Sequence, residues 1–241
     1  MPADFVHAHT RLAPVPLVPE LVLHQADEPI ALWMETEAGG VEQPPPFWAF
    51  AWAGGQALAR HVLDEPELVA GRDVLDLATG SGLVAIAAAR AGARPVTAND
   101  IDPLSLAAAR ANAAANRVDV RFVEGDLLAT DDRYAVILAG DVFYSREMSV
   151  RVLPFLRRAA GRGALVLVGD PGRAYLPNDG MIKRASYDVP VPEALESVPV
   201  RHTTVWQVRR RVEPVGPLSC GISSGVRIRT GRAGGSWRHR C

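Results

Sequence analysis

Short apolar runs ending at or near a carboxylate recur along this chain. Residues 73–77, 95–100, 118–123, 134–140 and 164–168 each read as a strand, most of them rich enough in Val, Leu, Ile and Ala to be buried on both faces. Alanine-rich stretches of good helix formers separate them, after residue 82 and over 104–116, and 145–160 reads as a further helix. Asp102-Pro103 opens the second of these, with Asp as N-cap and Pro at the first helical position. Strands alternating with helices predict an open parallel α/β sheet. Residues 187–192 and 198–208 read as two more strands, the second alternating polar and apolar side chains.

The chemistry gathers where these runs end. Asp73-Val74-Leu75-Asp76-Leu77-Ala78-Thr79-Gly80-Ser81-Gly82 passes from a strand into a tight turn and then a helix. Gly80 and Gly82 let the backbone turn sharply and approach a ligand, and the free N–H groups of the next helix face it. The later runs bring Asp100, Asp126, Asp141 and Asp170 to the same edge. Turn-favouring Asp explains some of these acids but not one at each strand end. In an open parallel sheet that edge is the ligand crevice.

Two nucleotides compete for the turn. Gly80-Ser81-Gly82-Leu83-Val84-Ala85 fits the loose dinucleotide pattern, with Asp100 at a fitting distance for a ribose. Asp76 argues against it, because its charge repels a pyrophosphate. S-adenosylmethionine carries an ammonium and a sulfonium and no phosphate, which suits a carboxylate at the first strand end. Asp100 can then accept both ribose hydroxyls. Ile101 is counted with it among the cofactor-binding residues. Asp126 is assigned to the adenine amino group, with a plain turn role as the alternative. Gly82→Val is expected to abolish binding by filling the cofactor's space.

Residues 44–208 resemble the class I methyltransferases. Within them, Pro45-Pro46-Phe47-Trp48-Ala49-Phe50-Ala51-Trp52-Ala53-Gly54-Gly55, Asp141-Val142-Phe143-Tyr144 and Gly169-Asp170-Pro171-Gly172-Arg173 resemble the lysine methyltransferases of the electron-transfer flavoprotein β-subunit. The glycine turn is common to many methyltransferases; the last two motifs are far more specific. Ala53 departs from the proline frequent in relatives, and the resemblance ends at residue 208. It implies a Rossmann-like seven-stranded α/β sheet with helices on both faces and an antiparallel C-terminal edge hairpin. It also implies methyl transfer from S-adenosylmethionine to lysine, with the flavoprotein β-subunit as protein partner. Asp141 is the expected dock for the substrate ammonium, and Tyr144 shapes the channel or bonds the amine, unless it is only a packed tyrosine. Trp52, counted with the cofactor-binding residues, either packs or walls the cofactor or substrate pocket.

Composition bounds the rest. The 241 residues suffice for one large domain, preceded by an extension over 1–43 that is proline-rich at its start and either wraps the domain or stays loose. No run is apolar and long enough to span a membrane. Cys220 and Cys241 have no metal-site spacing and build no disulfide framework, so a cytoplasmic enzyme without a metal is expected. Residues 1–208 hold 18 basic and 26 acidic side chains; residues 209–241 hold eight arginines and one glutamate. That basic tail reads as disordered and dispensable. Its arginines are scattered and only Trp237 accompanies them, so nucleic acid is not an expected partner. Other readings remain: methylation of another protein, such as a ribosomal one, or of a small amine; or a scaffold that binds the cofactor without catalysis.

Overall fold

The computed structural model describes residues 2–28, 31–34, 45–131, 133–192 and 196–209. The disorder expected of the basic tail falls, beyond Arg209, outside the described residues.

Seven strands form one sheet: β3 (Val74–Leu77), β4 (Val96–Asp100), β5 (Arg121–Glu124), β6 (Val136–Gly140), β7 (Leu165–Asp170), β8 (Met181–Pro190) and β9 (Val200–Val208). Their order is β5-β4-β3-β6-β7-β9-β8. The first five run parallel, and β9 lies antiparallel to both β7 and β8. The last strand is therefore inserted inside the sheet, and β8 is the edge. Chain order reverses between the neighbours β3 and β6, which opens a crevice beyond their carboxyl ends.

Alternation along each strand feeds two cores. Val74, Val136, Leu138 and Leu167 join the core under α2 (Ala53–Asp64) and α3 (Leu83–Arg90). Leu75, Leu77, Ile137, Ala139, Val166 and Val168 join the core under α5 (Arg146–Gly161), where Val152, Phe155 and Leu156 meet them. Helices thus cover both faces, as the sequence predicts. Ser145 caps α5 by accepting from Met148 N at 3.1 Å.

Two boundaries differ from the sequence reading by three residues or more. β8 begins at Met181 rather than 187, because residues 181–186 lie on the sheet edge with none of them buried and do not alternate apolar with polar side chains. Lys183 and Arg184 there suit an edge strand that must not pair with other chains. β5 starts at Arg121 rather than 118, since the backbone at Val118 still bonds back to Ala113.

The N-terminal segment wraps the domain. A helix, α1 (Pro2–His9), leads into the antiparallel hairpin of β1 (Arg11–Val15) and β2 (Val18–Gln25). β2 lies on α4 (Pro103–Ala115) and is tied by side chains. Asn116 accepts from Val22 N at 3.0 Å and donates to Val22 O at 2.6 Å. Asn112 accepts from His24 N at 2.7 Å and donates to Ser81 O at 2.8 Å. Two amides on a helix thus imitate the missing neighbour of a strand.

Candidate active site

A cavity of about 470 Å3 opens at the carboxyl edge of the sheet, over β3, β4 and β6. Asp76, Asp100, Asp126 and Asp141 all line it, as do Gly80, Ile101, Trp52 and Tyr144. Of the residues singled out from sequence, Gly82 is not among the lining. The fifth acid, Asp170, stays behind the wall.

Asp76 occupies a core-facing position of β3, on the side of α3, and is 1% exposed. Its Oδ2 accepts from Ala85 N at 2.9 Å and from the Thr79 hydroxyl. Burial pushes its pKa up to about 7, only partly offset by those donors. Asp100 ends β4. Its Oδ2 accepts from Gly80 N and its Oδ1 from Asp102 N, at 2.9 and 3.1 Å, so it braces the glycine turn; burial raises its pKa too. Asp102 accepts from Leu104 N and Ser105 N, which makes it the cap that the sequence predicts.

The glycines divide the work differently from the expectation. Gly82, at φ +82°, would place a Cβ 2.9 Å from Ala109 Cβ. The constraint comes from α4 packing on the turn, not from cofactor space. Gly80, at φ +52°, has nothing within 4 Å of a Cβ and lines the cavity. Gly82→Ala is therefore expected to cost about 2–3 kcal/mol of stability, from left-handed strain plus overpacking. Gly80→Ala should cost about 1 kcal/mol of stability but more in ligand affinity. Denaturant unfolding beside calorimetry separates the two; equal losses in both variants would refute the division.

Asp126 is held as a turn residue, with Oδ1 accepting from Leu128 N at 2.8 Å and Oδ2 paired with Arg151 at 2.6 Å. It lines the cavity nonetheless. Ile101 is 66% exposed there, an apolar surface that a flat ring could cover. Trp52 does both things asked of it. Its indole donates to Phe47 O at 2.8 Å and packs against Phe47 and Phe50, while it walls the cavity. Trp48, four residues earlier, is core. Tyr144 is 47% exposed, tilted against the Phe47 ring at 5.3 Å, and burial raises its phenol pKa.

Asp141 follows β6 at φ +53°, a left-handed conformation that Asp tolerates better than most residues. Its Oδ2 accepts from Gly55 N at 2.9 Å and its Oδ1 from Arg173 Nη2 at 3.1 Å. Burial raises its pKa to about 6, against the pull of Arg173 and Gly55. The sequence reading left this carboxylate free for an ammonium; the structure gives it a resident cation. That cation comes from the turn after β7, where Asp170 Oδ1 accepts from Gly172 N and Arg173 N, both at 2.7 Å.

The start of α2 brings Gly55 to Asp141. Gly54 lies flat on Gly169, so close that a Cβ on either would overlap the other's carbonyl oxygen. These contacts and Arg173 were missed; the glycines at both ends of the resemblance motifs were the available signal.

A family model described as "Ribosomal protein L11 methyltransferase (PrmA)" matches residues 57–142, the segment that builds the glycine turn and the strand ends. The electron transfer flavoprotein beta subunit lysine methyltransferase of Xenopus laevis is 35% identical over 215 residues, covering 85% of this chain and 86% of that protein. Its Danio rerio counterpart is 36% identical over 199 residues, covering 79% and 76%. In fold, the crystal structure of a putative RNA methyltransferase from Pyrococcus horikoshii matches with a TM-score of 0.54 at 14% identity, covering 70% of this chain and 89% of that one. The chain belongs to the electron transfer flavoprotein beta subunit lysine methyltransferase family, a family of S-adenosylmethionine-dependent protein-lysine methyltransferases.

Proposed function

We propose that this enzyme methylates lysine in the β-subunit of electron-transfer flavoprotein. The observation that carries this reading is the 35% identity to the Xenopus laevis enzyme across 85% of the chain. The match to the L11 enzyme favours no other substrate, because it covers only 57–142 and so the cofactor half.

In this reading Asp76 takes the ammonium end of the cofactor and Asp100 its ribose, while Ile101 and Asp126 meet the adenine. When bound, S-adenosylmethionine supplies an electrophilic methyl group on a sulfonium. Asp141 and Tyr144 receive the substrate amine, and Phe47 and Trp52 wall its approach. Alignment supplies much of the rate, since no strong base is needed to attack a sulfonium.

The raised pKa of Asp76 gives a test of the cofactor assignment. Near pH 6 that carboxyl is largely protonated, and an ammonium beside it drives the proton off. Calorimetry in buffers of different ionisation enthalpy should show net proton release on cofactor binding at pH 6. By pH 9 the release should be gone or reversed, because Asp76 is already charged and a free α-amino group, with a pKa of about 8, must gain a proton. Zero release at pH 6 contradicts the assignment.

For the substrate, the purified enzyme is incubated with labelled S-adenosylmethionine and either the flavoprotein or ribosomal protein L11. Label on lysines of the flavoprotein β-subunit supports the reading. Label on L11 alone, or on neither, overturns it.

A further inference from the structure

A lysine ammonium must lose its proton before it can attack, and its ordinary pKa is about 10.4. A lone carboxylate beside it makes this harder, because an opposite charge favours the charged form. Asp141 poses that difficulty, and the cavity contains an answer to it.

Arg173 lines the same cavity. Its Nη2 donates to Asp141 Oδ1 at 3.1 Å and to Glu196 Oε1 at 2.7 Å, and its Nη1 to Glu196 Oε2 at 3.3 Å. The guanidinium carbon lies 5.8 Å from the centre of the Trp52 ring. Its Nε is buried and bonds to none of the described residues. Glu196 is itself buried, and its Oε2 also accepts from Arg201 Nε at 3.1 Å. Arg173 is thus fixed by Glu196 and need not leave when a substrate arrives.

We propose that Arg173 is the positioning residue that delivers the substrate amine in its neutral form, by cancelling the charge of Asp141 and facing the amine with a positive charge. The inference rests on the lysine reading above. Asp141 keeps acceptor lone pairs to orient an N–H, but the pair as a whole no longer favours an ammonium. The proton leaves to water. The amine lone pair then forms the N–C bond as the C–S bond breaks, and that bond's electron pair returns to sulfur.

The other groups around this seat do not replace Arg173. Asp170 lies behind the cavity wall, with its carboxyl raised by burial. Glu196 is paired with both Arg173 and Arg201. The Tyr144 phenol is raised by burial and by the acids Asp100 and Glu147, so it stays neutral. Burial opposes the charge on Arg173, but Asp141 and Glu196 outweigh it and hold the guanidinium above its ordinary value. Its charge is therefore permanent across the working pH range.

The test is the pH dependence of kcat and KM for Arg173→Gln and Arg173→Lys, with the flavoprotein as substrate and cofactor affinity measured beside it. For Arg173→Gln, cofactor affinity should hold. At pH 7.5 kcat should fall at least about tenfold while KM stays level or falls, since an unpaired Asp141 grips the ammonium. The rising limb of the profile should move up by at least about one pH unit, so the deficit closes as pH rises. Arg173→Lys, which keeps the charge, should keep the wild-type midpoint. An equal loss at every pH, a raised KM on an unmoved limb, or a shifted midpoint in Arg173→Lys overturns the proposal; the Lys variant decides it alone if the Gln variant does not fold. Wild-type enzyme that labels no flavoprotein lysine instead overturns the substrate reading.

Discussion

Asp141→Asn should lower methyl transfer by at least about a hundredfold and leave cofactor affinity nearly unchanged. Asparagine keeps the shape, the bond from Gly55 N and a side chain that tolerates the left-handed backbone at this position. It removes the charge that pairs with Arg173 and receives the amine. A lost charge-assisted contact is worth roughly 2–3 kcal/mol, and each 1.4 kcal/mol is tenfold in rate. The wild-type rate should also fall as pH drops through about 6, where this carboxyl takes a proton. Steady-state kinetics beside calorimetry reads both. Cofactor affinity falling in step with rate would make Asp141 a cofactor ligand, and an unchanged rate would place the amine elsewhere.

Gly54→Ala should be severely destabilising, costing at least about 3 kcal/mol, the upper end for overpacking. The added carbon would overlap Gly169 O and stand 2.6 Å from Asp141 Oδ2. Neither backbone can yield without moving α2 off the strand ends. Gly55→Ala is the control for stability, because a Cβ there would meet nothing nearer than Leu83 Cδ2 at 4.0 Å. It should change stability by less than about 1 kcal/mol. Urea unfolding of the two variants decides the point; similar losses would mean that the contact of Gly54 with Gly169 carries no special constraint.

The residues legible in the sequence were those whose role is local. Asp76, Asp100, Asp126 and Asp141 could be placed at strand ends because apolar runs and turns mark such ends one strand at a time. Asp102 was legible as a cap for the same reason. What escaped was set by pairs far apart in the chain. Arg173 meets Asp141 across 32 positions, and Asn116 meets Val22 across 94. Gly82 was assigned to the ligand because the turn motif says that glycine is needed, without saying what crowds it. Ala109, on the next helix, supplied that answer. The start of β8 hid a strand because an edge with no buried side chain over 181–186 leaves no alternation to read.

Asn112 has a consequence for how the molecule opens. One amide group bonds β2 at His24 N and the glycine turn at Ser81 O. The hairpin and the turn therefore belong to one cooperative opening unit, though 57 positions separate those two residues in the sequence. In native-state hydrogen exchange the amides of His24 and Gly82 should share an opening free energy, and cofactor should slow both. A chain trimmed to residues 44–208 would keep the crevice carboxylates yet lose that common protection, and its glycine turn should open more readily than in the full chain.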